Sequence, residues 1–457
     1  MMPNNKQTWI LIAIILAFVL VQSIFIHPSF SDETFYFNTG RYISNGVVPY
    51  KDFFFAHPPL QPYMLAVVFK IFGPSFWVAK VISLLSASLC VLLTYLMSKE
   101  LSSELKNNKA SIISALIFLV TPGFIAFSTM GHGMWEASFL VLVSAYILIK
   151  NNNKKDFKTS EMFAALVFTF AVFFRYIALL YFPFLILLLN VRKIKFKKFA
   201  FVTPLFCILF FVVCLLIFGQ NYIDQTVNYH MFSKVSLVAP SNQKMQYWGL
   251  GFFSIFLALL SLGVAYTEKD KTLFFLAVTA ISVDIIMLIV LKLVFYHYFI
   301  ISLTFYSIAA ARAFAISKDR LIKMMIPIVL ALSIFSNFQT IDFYLNPSYA
   351  NRFYEITEFV ENESLGEETI FGEPVLTNYV SFVTGRRIAG NYLDSYMRHL
   401  VFEGTAGIVE KIRADSPRIL IEMDSYYISD PNFRPLFNEY GLEIQMFGIP
   451  NYFIYKR

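Results

Sequence analysis

The sequence predicts a polytopic α-helical membrane protein that ends in a small α/β domain. Three observations support this fold class. Hydrophobic residues make up 57% of the 457 residues and charged residues only 15%, which is far from the composition of soluble domains. Uncharged apolar runs recur up to about residue 345, and most are long enough to cross a bilayer. Beyond that residue the runs stop and charges become frequent, so the two parts must face different solvents.

By length and hydropathy we expect about eleven transmembrane helices. The first, Trp9–Ile26, carries no charge and is not followed by a small-residue cleavage pattern, so we expect it to be retained rather than removed as a signal peptide. The other expected spans are apolar runs of a length suited to crossing a bilayer. They cover residues 76–98, 110–129, 135–149, 160–175, 177–190, 199–218, 248–266, 273–291, 294–314 and 324–344.

Basic residues concentrate in the short connections between expected spans, which orients the chain in a membrane. The strongest cluster lies at 192–198. All basic clusters can face the cytoplasm only if segment 62–72 does not cross the membrane. That segment is too short for a full crossing. The net charge of +7 therefore reflects topology and does not indicate a nucleic-acid partner. We expect an interfacial helix at 62–72 with four side chains toward lipid: Tyr63, Leu65, Val68 and Phe69.

This orientation places two loops and the tail outside the cytoplasm. The loops are residues 27–61 and 219–247. We expect residues 1–345 to form the transmembrane domain, with loop 27–61 carrying part of its site, and residues 346–457 to form an extracytoplasmic α/β domain. The pattern of the tail predicts helices at 352–360, 378–384 and 404–415 and strands at 368–372, 418–423, 442–447 and 452–455.

Two adjacent acids, Asp32 and Glu33, follow the first expected span. Carboxylates at the mouth of a membrane helix are costly and usually functional, although the same pair would also serve as a solvated cap that ends the helix. Glu136 is the acid of the second expected exterior turn. It opens the next span, where the helix dipole also favours an acid, so the residues alone leave both interpretations open.

Short motifs occur in a fixed order along nearly the whole chain. They are Asp32-Glu33, His57-Pro58-Pro59-Leu60, Ile71-Phe72-Gly73, Gly131-His132-Gly133-Met134-Trp135-Glu136, Tyr296-His297-Tyr298, Thr384–Arg387 and Tyr392–Asp394. Each is weak by itself, and together they resemble the GT-C membrane glycosyltransferases, the group that includes protein O-mannosyltransferases and the aminoarabinose transferases of lipid A. The sequence departs from the oligosaccharyltransferase branch, which carries Trp-Trp-Asp, because none of its four Trp residues are adjacent.

The resemblance implies a sugar donor linked to polyprenyl phosphate, transfer with inversion on the exterior face, and a protein, lipid or glycan acceptor. It implies that Asp32 is the general base, because similar proteins place the catalytic carboxylate at the first acid of this pair. Glu33 would orient the acceptor or a metal, and Glu136 is a further catalytic candidate. If Asp32 and Glu136 converge, their oxygens suit Mg²⁺ or Mn²⁺, although several members of the group work without metal.

The leaving phosphate of such a reaction needs cations. Arg175 is the strongest candidate, because an arginine at the membrane boundary is costly unless it pairs with an anion; the alternative is snorkelling to lipid headgroups. His57 lies where relatives carry Lys or His near the sugar-phosphate, or is a turn residue. His297 and Tyr298 open a late span, where an aromatic belt is the alternative. Weaker candidates for substrate binding are Arg41, Lys51, Tyr229, His230, Arg386 and Arg387.

The competing hypothesis is a membrane transporter or flippase for a lipid-linked or small polar substrate. Such a protein should show inverted repeats, and broken helices with polar residues near the midplane. The sequence shows no repeat, and its polar residues gather on one expected face. A one-sided site favours an enzyme that draws a lipid substrate from the membrane. We expect its location to be the plasma membrane, as a multi-pass protein.

Overall fold

The computed structural model describes most of the chain, and it is mostly helical. Three predicted features fall partly outside the described residues: the start of loop 27–61, part of loop 219–247, and the turn between the last two strands. The described residues are 6–24, 26, 32–105, 109–151, 157–233, 240–290, 296–345, 348–395, 404–424, 427–446 and 451–457.

Every predicted span overlaps at least one apolar helix. Span 110–129 is divided between two helices because Pro122 opens the second one and holds Thr121 in an extended conformation. The helices are α1 (Lys6–Ile24), α2 (Glu33–Ser44), α3 (Leu60–Phe72), α4 (Phe76–Leu101), α5 (Lys109–Val120), α6 (Pro122–Phe127), α7 (Met134–Asn151), α8 (Phe157–Phe174), α9 (Phe182–Val191), α10 (Lys197–Phe218), α11 (Gln220–Ile223), α12 (Pro240–Thr267), α13 (Lys271–Val290), α14 (Ile300–Ile316) and α15 (Arg320–Leu345).

Within the described part of the chain, five helices are long and apolar enough to cross a membrane. They are Phe76–Leu101, Met134–Asn151, Lys197–Phe218, Lys271–Ile289 and His297–Ile316. Shorter apolar helices, such as Thr8–Ser23 and Gly251–Thr267, lie among them. These helices are those of a multi-pass membrane protein, and a total of about eleven crossings stays a prediction.

The chain divides into two compact units, each built from three stretches of sequence. The tail forms one unit with the region of the first predicted exterior loop, and the predicted boundary at residue 345 stays a prediction. The first unit contains Met1–Ile26, Lys80–Val213 and Val238–Asn346, and the second contains His27–Ala79, Cys214–Leu237 and Pro347–Arg457.

In the first unit, α5, α12, α14 and α15 share an apolar core that includes Ile117, Leu257 and Ala310. Asp284 lies in the middle of α13, where a lone carboxylate would be costly. It accepts hydrogen bonds from Ser302 Oγ at 2.5 Å and from the Tyr306 hydroxyl at 2.8 Å, both on α14. These two hydrogen bonds give the buried Asp284 carboxylate partners inside the bundle.

The second unit contains a five-stranded sheet and the helices of the tail. The elements are α16 (Ser348–Glu363), β1 (Thr369–Gly372), α17 (Pro374–Thr384), β2 (Arg387–Ile388), α18 (Thr405–Asp415), β3 (Ile419–Met423), α19 (Arg434–Phe437), β4 (Gly441–Met446) and β5 (Tyr452–Lys456). The strand order is β2-β1-β3-β5-β4. Strand β1 pairs in parallel with β2 and β3, whereas β5 is antiparallel to both β3 and β4. All predicted helices and strands of the tail are present, and β2 and α19 are additional.

The predicted exterior loop 27–61 contains the buried helix α2, which the sequence did not lead us to expect. Helix α3 packs against it, and the predicted lipid-facing side of α3 is partly wrong. Leu65 and Phe69 are only 2% and 3% exposed, because Gly40 on α2 lets the two helices approach closely. The side chains that α3 exposes instead are Val67, Ile71 and Phe72.

Candidate active site

Asp32 lies at the amino-terminal end of α2. Every residue from Glu33 to Tyr42 is buried, whereas Asp32 is half-buried and keeps access to solvent. An ordinary helix-capping side chain accepts a hydrogen bond from the backbone of the first turn. The Asp32 carboxylate makes no such bond to α2. Among the described residues, Asp32 is therefore a solvent-accessible acid at the amino-terminal end of a buried helix, whereas Glu33 is 0% exposed.

A third acid, Glu373, joins this end of α2, and sequence reasoning missed it. Its carboxylate caps α17 by accepting the Leu376 N–H at 2.7 Å, and its own N–H donates to Ile421 O at 2.8 Å. Glu373 is 2% exposed. Burial, together with the negative charge of Asp32, raises the pKa of Glu373 to about 7, although its hydrogen bonds from Leu376 and Val375 oppose the rise.

The candidate arginines of this unit hold the structure together. Arg41 on α2 is 7% exposed and donates to Ser381 and to the main-chain oxygen of Arg386. Arg386 donates in turn to the main-chain oxygens of Ser364 at 2.6 Å and Thr384 at 3.0 Å. Arg387 is exposed and lies 3.9 Å from Asp415. These contacts favour structural roles for Arg41 and Arg386, and substrate binding by the three arginines stays a prediction.

His57 and His230 are brought together in the second unit. Their ring centroids lie 5.8 Å apart, and His230 Nε2 lies 2.6 Å from the main-chain oxygen of Ala56. Tyr36, one turn along α2 from Asp32, packs on the His57 ring at 5.3 Å. Both imidazoles are half-buried, so this group of rings extends from the helix of Asp32 toward solvent.

The fully buried Tyr229 supports this arrangement from a π-helical segment, Asp224–Ser233. Its ring contacts Phe54 at 5.3 Å and the adjacent His230 at 5.3 Å. Single-turn π-helical geometry is uncommon and frequently marks functional sites. Tyr229 thus packs in the core of this segment, whereas His230 is half-buried. Lys51, in the loop 27–61, is exposed, and substrate binding by these three residues stays a prediction.

The first unit holds a second group of candidates, centred on Arg175. The Arg175 side chain is 7% exposed and donates from Nε and Nη2 to the main-chain oxygen of His132. The rings of His132 and His297 lie 4.8 Å apart, and Tyr298 packs on His297 at the same distance. Arg175 is therefore buried within the protein, and the alternative of an arginine that snorkels to bulk lipid is not what the structure shows.

Two residues of this cationic group, Lys80 and His132, were not assigned a role from the sequence. Lys80 is 2% exposed on α4, and its charge acts on His132. Burial lowers the pKa of His132 well below its usual value, and the nearby charges of His297, Arg175 and Lys80 lower it further. The sequence did contain a signal for Lys80, because it lies inside the expected span 76–98 and charged residues within membrane spans are rare and usually functional.

Glu136 lies in the first turn of α7 and is 5% exposed. One carboxylate oxygen accepts the Ser83 hydroxyl at 2.8 Å, while the other has no hydrogen-bond partner within the described residues. Its charge acts on Arg175. No group of three or more possible metal ligands occurs among the described residues, and the pairing of Asp32 with Glu136 on Mg²⁺ or Mn²⁺ stays a prediction.

Residues 56–218 match a family model described as dolichyl-phosphate-mannose-protein mannosyltransferase. The matched segment begins at the alanine before His57 and includes Glu136 and Arg175. No curated protein matches the chain in sequence. The family model therefore relates part of the chain, including three of the candidate residues, to known mannosyltransferases.

The fold extends this likeness to nearly the whole chain. ArnT from Cupriavidus metallidurans, bound to undecaprenyl phosphate, superposes with a TM-score of 0.68 at 11% identity and covers 98% of each chain. An oligosaccharyltransferase from Archaeoglobus fulgidus, in complex with Zn and sulfate, gives 0.52 at 12% identity over 93% of this chain and 69% of its own. AglB from the same organism, in complex with an inhibitory peptide and a dolichol-phosphate, gives 0.53 at 9% identity over 96% and 74%. The chain is thus a multi-pass membrane protein with the GT-C glycosyltransferase fold, and its predicted resemblance to that group is confirmed.

Proposed function

We propose that this protein is a membrane glycosyltransferase that transfers a sugar from a polyprenyl-phosphate donor to a hydroxyl-bearing acceptor on the extracytoplasmic side of the plasma membrane. The acceptor is a protein, a lipid or a glycan. The observation that carries the proposal is the position of Asp32, a reachable carboxylate at the end of a buried helix in a chain with this fold. The undecaprenyl phosphate bound to ArnT and the dolichol-phosphate bound to AglB support a polyprenyl-phosphate donor.

In the proposed reaction Asp32 acts as the general base. Its carboxylate accepts the proton of the acceptor hydroxyl as the oxygen attacks the anomeric carbon of the donor. The bond from that carbon to the phosphate oxygen breaks on the opposite face, so the configuration inverts and polyprenyl phosphate leaves. Glu33 is fully buried beside Asp32, and we assign it to orienting Asp32 rather than to contacting the acceptor.

The departing phosphate gains negative charge and needs fixed cations. We assign this role to the cationic group of Arg175, with His297 and Tyr298 beside it. A contact of His57 with the donor phosphate stays a prediction from the sequence. The Arg175 guanidinium is held by the main-chain oxygen of His132, so it needs little reorganisation when the phosphate gains charge. Glu136 keeps this group from carrying an unbalanced positive charge before the donor arrives.

The test is sugar transfer by the full-length protein in detergent. The donors are polyprenyl phosphates that carry radiolabelled mannose, glucose or an aminosugar, and a membrane extract supplies the acceptor. Asp32→Asn should lower turnover by about a thousandfold, because general-base catalysis contributes roughly 10²- to 10⁴-fold. Donor binding and the melting temperature should remain. Glu367→Gln, at an exposed acid of the tail, is the charge control.

Three other results would change the proposal. Unchanged turnover in Asp32→Asn would remove Asp32 as the base. Loss of turnover on chelation, with recovery in Mg²⁺ or Mn²⁺, would establish a metal requirement. Donor bound and moved across a vesicle membrane without release of polyprenyl phosphate would favour the transporter or flippase hypothesis.

A further inference from the structure

A polar pocket of about 230 Å³ lies in the second unit, apart from the carboxylates of α2. Four separate stretches of chain form its walls: the loop before His57, the segment after α10, the turn after β2, and α18. Such a pocket is smaller than the roughly 300–1,000 Å³ typical of sites for drug-sized ligands. Its lining residues are Tyr50, Lys51, Asp52, Phe53, Phe54, Asn221, Gln225, Gly390, Tyr392 and Lys411.

The pocket carries an excess of positive charge. Lys51 and Lys411 come from opposite ends of the sequence, and neither ammonium has a carboxylate within 4.0 Å among the described residues. The acid of the lining, Asp52, already accepts the Val48 N–H at 2.7 Å and fixes the turn of its own loop. Two lysines that face one small polar pocket favour an anionic ligand.

The walls of this pocket are held rigidly. Gln225 accepts the Phe55 N–H at 2.8 Å and donates to Tyr50 O at 3.1 Å, and Asn221 donates to the same oxygen at 3.0 Å. These bonds hold Tyr50 at a φ of 67°, which is costly for a non-glycine residue. Strained backbone such as that of Tyr50 clusters at binding and catalytic sites.

One residue links the pocket to His57. Tyr50 lines the pocket, and its hydroxyl donates to His57 O at 2.6 Å. The Tyr50 ring is 1% exposed and packs between Phe218 and Tyr222, so its two ends cannot move independently. A ligand group held in the pocket is therefore held at a fixed position relative to the loop that carries His57.

We propose that this pocket binds the anionic group of a saccharide acceptor, a phosphate or a carboxylate on a sugar ring, through Lys51 and Lys411. The size admits one charged sugar unit, and the polar lining suits its hydroxyl groups. Only the identification of the ligand as the acceptor rests on the proposed sugar transfer. Binding itself needs neither donor nor turnover.

The experiment measures binding to the full-length protein in detergent by saturation-transfer NMR and titration calorimetry, with no donor present. The probes are glucose 6-phosphate, glucuronate, glucose and inorganic phosphate. We expect the two charged sugars to bind at least about tenfold more tightly than glucose or inorganic phosphate, because charge-assisted contacts and hydroxyl contacts add. Lys51→Ala/Lys411→Ala should weaken both charged sugars by about tenfold and leave glucose unchanged.

The matched control is Lys70→Ala/Lys318→Ala, which removes the same charge from two exposed lysines outside the pocket. It should bind all four probes like the unaltered protein. Equal loss of affinity in both double variants, or glucose binding as tightly as the charged sugars, would overturn the proposal. Inorganic phosphate binding as tightly as glucose 6-phosphate would overturn the saccharide assignment. Unchanged turnover in Asp32→Asn together with intact probe binding would contradict the proposed catalysis by Asp32 and leave this pocket standing.

Discussion

The guanidinium of Arg41 donates twice to Ser381, to its main-chain oxygen at 2.6 Å and to its hydroxyl at 2.9 Å. This contact joins α2 to α17, and Asn38 repeats it one turn earlier by donating to Asn378 Oδ1 and Ser381 Oγ, each at 3.1 Å. Thr34 adds a bond to Val375 O. The helix whose end carries Asp32 is thus positioned by a helix some 340 residues later in the chain.

Arg41→Ala should lower the free energy of unfolding by about 2–3 kcal/mol, because it leaves buried acceptors on α17 without their charged donor. Arg387→Ala is the control, since that arginine is exposed and its one ion pair spans 3.9 Å. It should change stability by less than about 0.5 kcal/mol. Thermal unfolding in detergent measures both. A normal melting temperature for Arg41→Ala with weakened acceptor binding would instead support the substrate role predicted from the sequence.

Gly40→Ala should destabilise the protein by about 1–3 kcal/mol, because the packing of α3 leaves no room for a side chain on α2. An added Cβ would lie 2.7 Å from Leu65 Cβ. Gly407→Ala on α18 is the matched control, with no atom within 4 Å of the added Cβ. It should stabilise by about 0.5–1 kcal/mol through helix propensity. Opposite shifts in melting temperature are expected, and equal shifts would contradict the close approach of α2 and α3.

Glu373→Gln should change how stability depends on pH. Burial raises the folded-state pKa of Glu373 from 4.5 to about 7, so its carboxyl group stabilises the fold below pH 4.5 and that contribution is lost as pH rises through 7. The full loss is on the order of 3 kcal/mol. Glutamine can still accept the Leu376 N–H but does not ionise. The unaltered protein should therefore lose stability relative to Glu373→Gln between pH 4.5 and 7.

Melting temperatures of the two proteins, measured in steps from pH 4.5 to 8, check this prediction. Glu367→Gln serves as the control at an exposed acid, and its difference from the unaltered protein should not vary with pH. Parallel curves for the unaltered protein and Glu373→Gln would show that the Glu373 carboxyl group does not titrate in this range.

Arg175→Gln should weaken donor binding by about 10- to 100-fold, because the lipid phosphate loses a buried charge-assisted partner. Arg320→Gln removes an exposed arginine of the same unit and should bind donor normally. Binding of a fluorescent polyprenyl phosphate to the two variants is the measurement, with melting temperatures to establish that both remain folded. Equal donor affinity in the two variants would remove Arg175 as a phosphate ligand.

Local signals in the sequence predicted much of the architecture. Hydropathy and length place an apolar helix at each predicted span, because crossing or approaching a bilayer imposes a long uncharged run that any short window reveals. Alternation and turn residues likewise place most strands and helices of the tail, such as β3 between Pro417 and Asp424, but not β2 and α19. The candidate site was predicted only in part: the acids at Asp32 and Glu33 stand out because carboxylates beside an apolar span are rare.

What the sequence by itself determined is therefore the fold class and the position of most elements, since each depends on solvent and on neighbours within one or two turns. Only the tertiary structure decided that Leu65 and Phe69 are buried and that Arg41 donates to α17. It also decided that Glu373 lies near Asp32, and that Lys80 and His132 belong to the group around Arg175. These relationships depend on contacts between residues tens to hundreds of positions apart, and no local periodicity records which distant helix will pack against which.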